Sequence, residues 1–193
     1  ALRAIDWMNI LEVDSSPPVY PVSDARRTGS VSRLRMAQIT PWGLTNIGAD
    51  SVQIYKHFSG TGVKVAVLDQ GAWVTHPDLN IVGCHDYFGA GSDCVVQGPH
   101  GTKVAGVIGA QNNSIWTLGI APDANIYSVR VCDLAGCPGS AVYDGLVWAK
   151  SHGMDIVNLS LGSCGGEVCF TQSGLLYPMA SDGIMLVADS GNA

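Results

Sequence analysis

Four apolar segments rich in β-branched residues recur from residue 63 onward, and they predict buried strands. A strand covered on both faces of a parallel sheet is a continuous apolar run rather than an alternation of polar and apolar residues. The segments are residues 63–68, 124–131, 155–161 and 184–188. The stretches between them are long enough for crossover helices. The pattern therefore predicts an α/β fold with a doubly wound, mostly parallel sheet and helices on both faces.

Helical periodicity occurs between these segments. Apolar residues recur at helical spacing in residues 140–152, and Gly153 predicts the C-terminal cap of that helix. Residues 171–181 predict a weaker helix that Pro178 interrupts. A helix of small residues is expected to begin at His100.

Composition narrows the class of protein. The 193 residues are 47% hydrophobic and 13% charged, which suits one domain with a large core and argues against disorder. A net charge of −6 argues against nucleic acid as a partner. No apolar run approaches the roughly 20 residues of a membrane-spanning helix, so no membrane contact is expected. A nucleotide-binding domain is disfavoured because no Gly-x-Gly-x-x-Gly or Gly-Lys-Ser/Thr motif follows the first strand.

The six cysteines form three close pairs in sequence. Six cysteines allow 15 pairings, and the sequence alone does not choose among them. Local bridges are preferred over free thiols or zinc, because no Cys-x-x-Cys or His-x-x-x-His spacing accompanies the cysteines. Bridges would imply an oxidising, extracellular location. The pairs are Cys84 with Cys94, Cys132 with Cys137, and Cys164 with Cys169.

Two residues carry the candidate chemistry. Asp69 ends the first predicted strand, and His100 begins a helix 31 positions later. Strand ends of an open parallel sheet converge on one crevice, so an acid and an imidazole placed there can form a relay. A carboxylate that accepts the Nδ1 proton leaves Nε2 to take a proton from a nucleophile. The pair indicates a hydrolase of peptide bonds.

The sequences around these residues resemble a known family. Asp69 stands in Val-Leu-Asp-Gln-Gly, His100 in His-Gly-Thr, and Asn192 in Ser-Gly-Asn. Together they resemble the subtilisin-like serine proteases, or subtilases, whose catalytic residues occur in the order Asp, His, Ser. The resemblance begins near residue 37 and implies a subtilisin-like fold over residues 37–193. It also implies that Asp69 orients the base, His100 is the base and Asn192 stabilises the oxyanion.

The family's nucleophile lies in a Gly-Thr-Ser segment downstream of the asparagine, and no such segment occurs in this sequence. We therefore expect residues 37–193 to be the N-terminal portion of a peptidase domain whose C-terminal portion is absent. The serine would lie beyond Ala193, and the 193-residue chain alone would be inactive. The alternative is a non-catalytic relative that acts as a peptide-binding module.

Substrate binding is implied by a further likeness. Residues 158–162 resemble the family's segment that pairs with an extended polypeptide substrate as an added strand. The likeness implies peptide contacts from Ser160, Leu161 and Gly162. Asp189 stands where relatives usually carry a small apolar residue beside the primary specificity pocket. This departure suggests a preference for a basic residue before the scissile bond.

Calcium is the expected ion. Residues 111–122 resemble the loop with which many subtilases hold calcium, and an all-oxygen ligand set suits this cation. Trp116 replaces a glycine common in relatives. An empty surface loop is the alternative. The ligands implied by the resemblance are side-chain oxygens of Gln38, Asp78 and Asn113 and main-chain carbonyls of Gln111, Ile115 and Thr117.

Residues 1–36 differ from the rest in character. Residues 10–14 resemble the last strand of the pro-segment that inhibits family proteases, and residues 37–43 resemble a mature N-terminus. Residues 1–36 are therefore interpreted as a pro-segment tail with a linker, with an ordinary N-terminal extension as the alternative. The start of the chain lacks a signal-peptide layout, so any export signal is expected upstream.

Overall fold

The computed structural model describes residues 38–89, 94–161 and 173–189. These residues form five strands and five helices. The strands are β1 (Lys64–Asp69), β2 (Ile81–Asp86), β3 (Asn125–Arg130), β4 (Ile156–Leu159) and β5 (Met185–Ala188). The helices are α1 (Trp42–Asn46), α2 (Ala49–Lys56), α3 (His100–Gly109), α4 (Gly139–Ser151) and α5 (Ser173–Ser181).

The strands form one parallel sheet in the order β2-β3-β1-β4-β5, which confirms the predicted doubly wound architecture. Helix α3 connects β2 to β3, α4 connects β3 to β4, and α5 connects β4 to β5. β1 occupies the centre of the sheet, with β3 on one side and β4 on the other. Its C-terminal end therefore lies in the middle of the edge at which ligands bind in such sheets.

The two faces of the sheet are covered by different helices. Val65 and Val67 of β1 belong to the same apolar cluster as Ala105 of α3. Ala66 and Leu68 point to the opposite face, since side chains alternate along a strand, and they pack with residues of α4 and α5. All four β1 side chains are almost fully buried, which explains the continuous apolar run in the sequence.

The predicted strands β1, β3, β4 and β5 are confirmed to within one or two residues, but no sequence pattern predicts β2. β2 lies at the edge of the sheet, and of its residues only Asp86 is fully buried. Gly83 and a register shift beside it further interrupt the strand pattern. An edge strand with little buried surface leaves little hydrophobic signal in the sequence.

Helix α4 lies one residue from its predicted bounds, and Gly153 has the left-handed φ of 63° expected of its cap. The predicted interruption at Pro178 is wrong, because α5 continues through it. Proline removes one helical hydrogen bond, but Asp182 N still donates to Pro178 O at 2.9 Å. Within the described ranges, no helix combines the length and apolar character needed to cross a membrane.

Candidate active site

Asp69 and His100 meet at the carboxyl edge of the sheet. The Nδ1 atom of His100 lies 2.8 Å from Oδ2 and 3.0 Å from Oδ1 of Asp69. A carboxylate only accepts hydrogen bonds, so the proton of this contact belongs to Nδ1. The Asp69 side chain is 2% exposed, whereas that of His100 is 44% exposed. The acid is thus enclosed, and the imidazole faces the surface.

Two glycines allow this approach of helix and strand. Gly101 follows the histidine, and a Cβ atom there would collide with the main-chain oxygen of Gly71 and lie 3.2 Å from the Cβ of Asp69. Gly71 itself has a left-handed φ of 87°, which glycine adopts without strain. The Asp-x-Gly and His-Gly-Thr patterns therefore reflect one close contact between the β1 end and the start of α3.

Hydrogen bonds fix the turn after Asp69. Thr102 is fully buried, and its hydroxyl accepts from Trp73 N at 3.0 Å. The hydroxyl of Ser128, on the adjacent strand β3, accepts from Ala72 N at 2.8 Å. Buried hydroxyls aimed at main-chain donors hold a loop in one conformation. The acid therefore sits at the start of a rigid turn.

The charges around His100 act on its pKa in opposite directions. The hydrogen bond to Asp69 raises the pKa of His100 above its ordinary value of 6.5, and partial burial opposes that rise. The charges of Asp69 and Asp189 raise this pKa further, while the ammonium of Lys103 lowers it. Lys103 lies three residues after His100 on α3, on the same side of the helix. Sequence reasoning missed Lys103, although its position three residues after His100 on a predicted helix would have indicated this contact.

The residues proposed for peptide binding follow β4 and β5. Ser160 and Leu161 are half-buried at the end of β4, and Asn158 Nδ2 donates to Ser160 Oγ at 2.9 Å. Asp189 is exposed, and its main-chain nitrogen donates to Leu159 O at 3.3 Å. The parallel pairing of β1 with β4 and of β4 with β5 puts these strand ends at the same edge as the Asp–His pair. Gly162 and Asn192 lie outside the described residues.

A cleft adjoins the His100 end of α3. Its volume is about 340 Å³, and it is open to solvent. Sequence reasoning missed this cleft, because the segments that form it come together only through the contact between α3 and the turn after β1. Its lining residues are Trp73, Val96, Gln97, Gly98, Pro99 and Thr102.

The residues expected to hold calcium form a connected cluster. Gln38 Nε2 donates to the carbonyls of Gln111 at 2.5 Å and Thr117 at 2.7 Å. Asp78 is 1% exposed, and its Oδ2 accepts from Thr117 N at 3.5 Å. The Asn113 side-chain oxygen accepts from Ile115 N at 3.1 Å. The amide nitrogen of Gln38, rather than its oxygen, thus faces the two carbonyls.

Asp78 is the buried acid of this cluster. Asp78 Oδ1 has no hydrogen-bond partner among the described residues. Burial raises the pKa of Asp78 to about 6, although hydrogen bonds from Asn113 and Thr117 lower it. A half-turn of the Gln38 amide would present its oxygen beside those of Gln111 and Thr117. The described residues contain no group of three or more His, Cys, Asp or Glu side chains suited to a metal, so an ion here would combine the Asp78 carboxylate with amide and carbonyl oxygens.

Trp116, like Ser114 in the same loop, has a left-handed backbone conformation. Its φ is 49°, in the left-handed region that bulky residues rarely adopt. The tryptophan therefore holds a backbone conformation that favours glycine. The ring lies 5.2 Å from that of His76, which in turn lies 5.1 Å from Trp73. This aromatic contact connects the loop to the turn that follows Asp69.

Two of the three predicted cysteine pairs are disulfides. Cys84 is bonded to Cys94, and Cys132 to Cys137. The pair Cys164 and Cys169 lies outside the described residues. The first bridge anchors the segment leading to His100, and the second closes the loop after β3. Both bridges therefore lie in chain segments that adjoin the Asp–His pair.

Residues 60–193 match the Subtilase family. The alkaline protease of Alkalihalobacillus alcalophilus is 42% identical over 82% of this chain and 41% of its own length. Subtilisin Savinase of Lederbergia lenta is 42% identical over 81% of this chain and 57% of its own length. Alkaline elastase YaB of Bacillus sp. (strain YaB) is 40% identical over 100% of this chain and 51% of its own length. The chain thus spans about half the length of these curated relatives. The family match, together with the parallel sheet that carries an Asp–His pair, establishes that the chain belongs to the subtilase family of serine proteases.

Proposed function

We propose that this chain supplies the orienting acid and the general base of a secreted serine endopeptidase. The observation that carries the proposal is the 2.8 Å contact between His100 Nδ1 and Asp69 Oδ2. With its Nδ1 proton donated to Asp69, His100 presents a basic Nε2 at the surface. That atom would take the proton of a serine hydroxyl and return it to the leaving amine. The disulfides Cys84–Cys94 and Cys132–Cys137 support secretion.

The nucleophile is proposed to lie beyond Ala193 in the whole protein. Relatives about twice as long leave room for it. Asn192 would donate to the oxyanion, and loss of such a donor costs roughly 10²–10³ in turnover, a value that comes from subtilisin. The 193-residue chain alone would bind peptide without cleaving it. Residues 37–193 would form this part of the peptidase domain.

An extended polypeptide is the proposed substrate. Its main chain would pair with Ser160, Leu161 and Gly162 as an added strand. Asp189 would favour Lys or Arg before the scissile bond, because a carboxylate at the mouth of a pocket attracts a cation. A panel of otherwise identical peptides with Lys, Arg, Leu or Phe at that position tests this preference. Equal cleavage of all four would remove Asp189 from this role.

Calcium is proposed to bind at the Gln38 loop. The side chains of Gln38, Asp78 and Asn113 and the carbonyls of Gln111, Ile115 and Thr117 would supply oxygens. The buried Asp78 oxygen without a partner supports this proposal, since a buried polar atom ordinarily has one. The ion would stabilise the loop and take no part in proton transfer.

Residues 1–36 are proposed to be the tail of an inhibitory pro-segment and its linker. Support comes from alkaline elastase YaB, which aligns with the whole chain and so has a counterpart of these residues. If they belong to a pro-segment, the mature enzyme should begin near residue 37. N-terminal sequencing of the secreted product tests this boundary, and a mature protein that retains residues 1–36 would contradict it.

A fluorophosphonate probe tests the central proposal. The product of the complete reading frame should form a covalent adduct and hydrolyse peptides, whereas the 193-residue chain should do neither. Substitution of His100 by alanine in the complete protein should abolish labelling. A complete protein that binds peptide but never labels would instead be the non-catalytic relative.

A further inference from the structure

Three neighbouring strands end in an alternating row of charged residues. The register pairs Asp69 of β1 with Arg130 of β3, and Arg130 with Asp86 of β2. All three residues are buried, with Arg130 7% and Asp86 4% exposed. Buried charges of this kind are costly unless they are paired. Arg130 therefore needs a charged or polar partner in the interior of the protein.

Arg130 contacts both neighbouring segments. Its Nη1 donates to Asp86 Oδ2 at 2.9 Å and Oδ1 at 3.2 Å, and its Nε donates to Cys132 O at 3.4 Å. The guanidinium carbon lies 4.8 Å from the centre of the Phe88 ring. The Phe88 main-chain nitrogen donates to Asp86 Oδ1 at 2.9 Å. One guanidinium thus connects the turn after β2 to the loop after β3.

The loop after β3 in turn holds Asp69. Val131 N and Cys132 N donate to the main-chain oxygen of Asp69 at 2.9 and 3.1 Å. The Cys132–Cys137 disulfide closes the same loop. Contacts therefore run without interruption from Asp86 through Arg130 and Cys132 to the main chain of Asp69.

We infer that Arg130, paired with Asp86, is a positioning residue that sets the orientation of Asp69 toward His100. The inference rests on the proposed peptidase function for its consequence in turnover, but not for its geometry. A simple stabilising role explains the pair poorly, because well-packed hydrophobic residues of similar volume often replace a buried ion pair without loss of stability. Positioning also explains why the guanidinium bonds to Cys132 O in addition to Asp86.

The test uses the paired substitution R130M/D86N in the 193-residue chain. The double change removes one charge of each sign, so the local net charge at His100 is unaltered. Asparagine retains an oxygen for Phe88 N. NMR titration of the His100 ring should show its pKa moving back toward about 6.5, and the Nδ1 proton signal should weaken. An unchanged His100 pKa in the folded double variant would overturn the inference.

Two further variants serve as controls. Ile126→Val, at the opposite end of β3 and fully buried, should lower the unfolding midpoint and leave the His100 pKa unchanged. Arg130→Lys keeps the charge, but a lysine ammonium cannot reproduce the guanidinium contacts to both Asp86 and Cys132 O. The pKa of His100 in this variant should therefore lie between its values in the wild type and in the double variant. If the double variant does not fold, an unchanged His100 pKa in Arg130→Lys overturns the inference instead.

Turnover separates this inference from the proposed function. In the complete protein, R130M/D86N should lower kcat by about 10- to 100-fold with little change in KM, as expected for a small misplacement of a catalytic group. A wild-type complete protein without peptidase activity would refute the proposed function. The NMR result would still decide whether Arg130 orients the Asp–His pair.

Discussion

The Nδ1 atom of His100 lies within 3.0 Å of both carboxylate oxygens of Asp69, so the ring is held by the whole carboxylate rather than by one oxygen. This arrangement fixes the tautomer and the plane of the imidazole together. It also couples the protonation of His100 to the charge of a residue that water hardly reaches. The first two predictions depend on that coupling.

Asp69→Asn should abolish most of the activity of the complete protein. The amide can donate to Nδ1 and thereby stabilise the wrong tautomer, which leaves Nε2 protonated. We expect kcat to fall by about 10⁴-fold, a magnitude known from other serine proteases, including subtilisin. Peptide hydrolysis with active-site titration measures it. A loss below about tenfold would show that Asp69 does not orient the base.

The acid limb of the pH profile should follow His100. Because its pKa is raised, neutral His100 predominates only at pH values above 6.5, and kcat/KM should fall as the pH drops through the raised pKa. Lys103→Met should move the limb to higher pH, and Asp189→Asn should move it to lower pH. If both variants shifted the acid limb in the same direction, or neither shifted it, the assigned effects of Lys103 and Asp189 on the His100 pKa would be contradicted. Lys150→Met, whose ammonium pairs with Asp182, serves as the control.

The same pKa bears on stability. The folded chain binds the His100 proton more tightly than the unfolded chain, so this contribution to the free energy of unfolding is complete below pH 6.5. It is lost as the pH rises through the raised pKa. The Asp69→Asn chain should lack this pH dependence in thermal unfolding.

Calcium should stabilise the chain more at pH 8 than at pH 5. Without calcium, the folded chain binds a proton at Asp78 more tightly than the unfolded chain. The free energy of unfolding therefore falls as the pH rises from 3.8 to about 6. Calcium requires the ionised carboxylate, so its effect should grow over the same interval. At 100 times its dissociation constant, the ion should contribute about 2.7 kcal/mol.

Thermal unfolding with calcium or with a chelator measures this effect. Asp78→Asn should remove both the calcium response and the pH-dependent loss. Asp123→Asn, at an exposed position, should retain both. A calcium response of equal size at the two pH values would show that Asp78 is not a ligand.

Gly101→Ala should separate His100 from Asp69. The new methyl group would collide with Gly71 O, a backbone atom that cannot turn aside. We expect a loss of about 1–3 kcal/mol in stability, as for other overpacked sites, together with a lower His100 pKa. The matched control is Gly174→Ala in α5, where a Cβ meets nothing within 4 Å. That change should stabilise the chain by about 0.5–1 kcal/mol.

The Asp–His pair was accessible from the sequence because its two halves carry local signals. A buried strand ending in Asp69 and a helix beginning at His100 are each visible in a short window, and parallel topology brings such ends together. The sheet architecture was accessible for the same reason. Every helix that packs on the sheet has an apolar or small-residue face of its own.

Arg130 and Asp86 were not accessible, because their contact depends on a strand register that no local pattern specifies. Asp86 belongs to the unpredicted edge strand β2, and without that strand Arg130 has no visible partner. Gln38 meets Gln111 and Thr117 across more than 70 positions of the chain, and only the family resemblance, not a local pattern, placed these three residues together. Contacts between distant polar side chains depend on the assembled fold, which is why local patterns did not predict the pair of Arg130 and Asp86.

The central position of β1 also bears on how the fold opens locally. Backbone amides of residues 65–68 lie between two strands on each side and should exchange with deuterium only when the whole sheet unfolds, whereas those of β2 and β5 at the edges should exchange earlier. Partial opening from either edge would therefore leave the strand that ends in Asp69 intact.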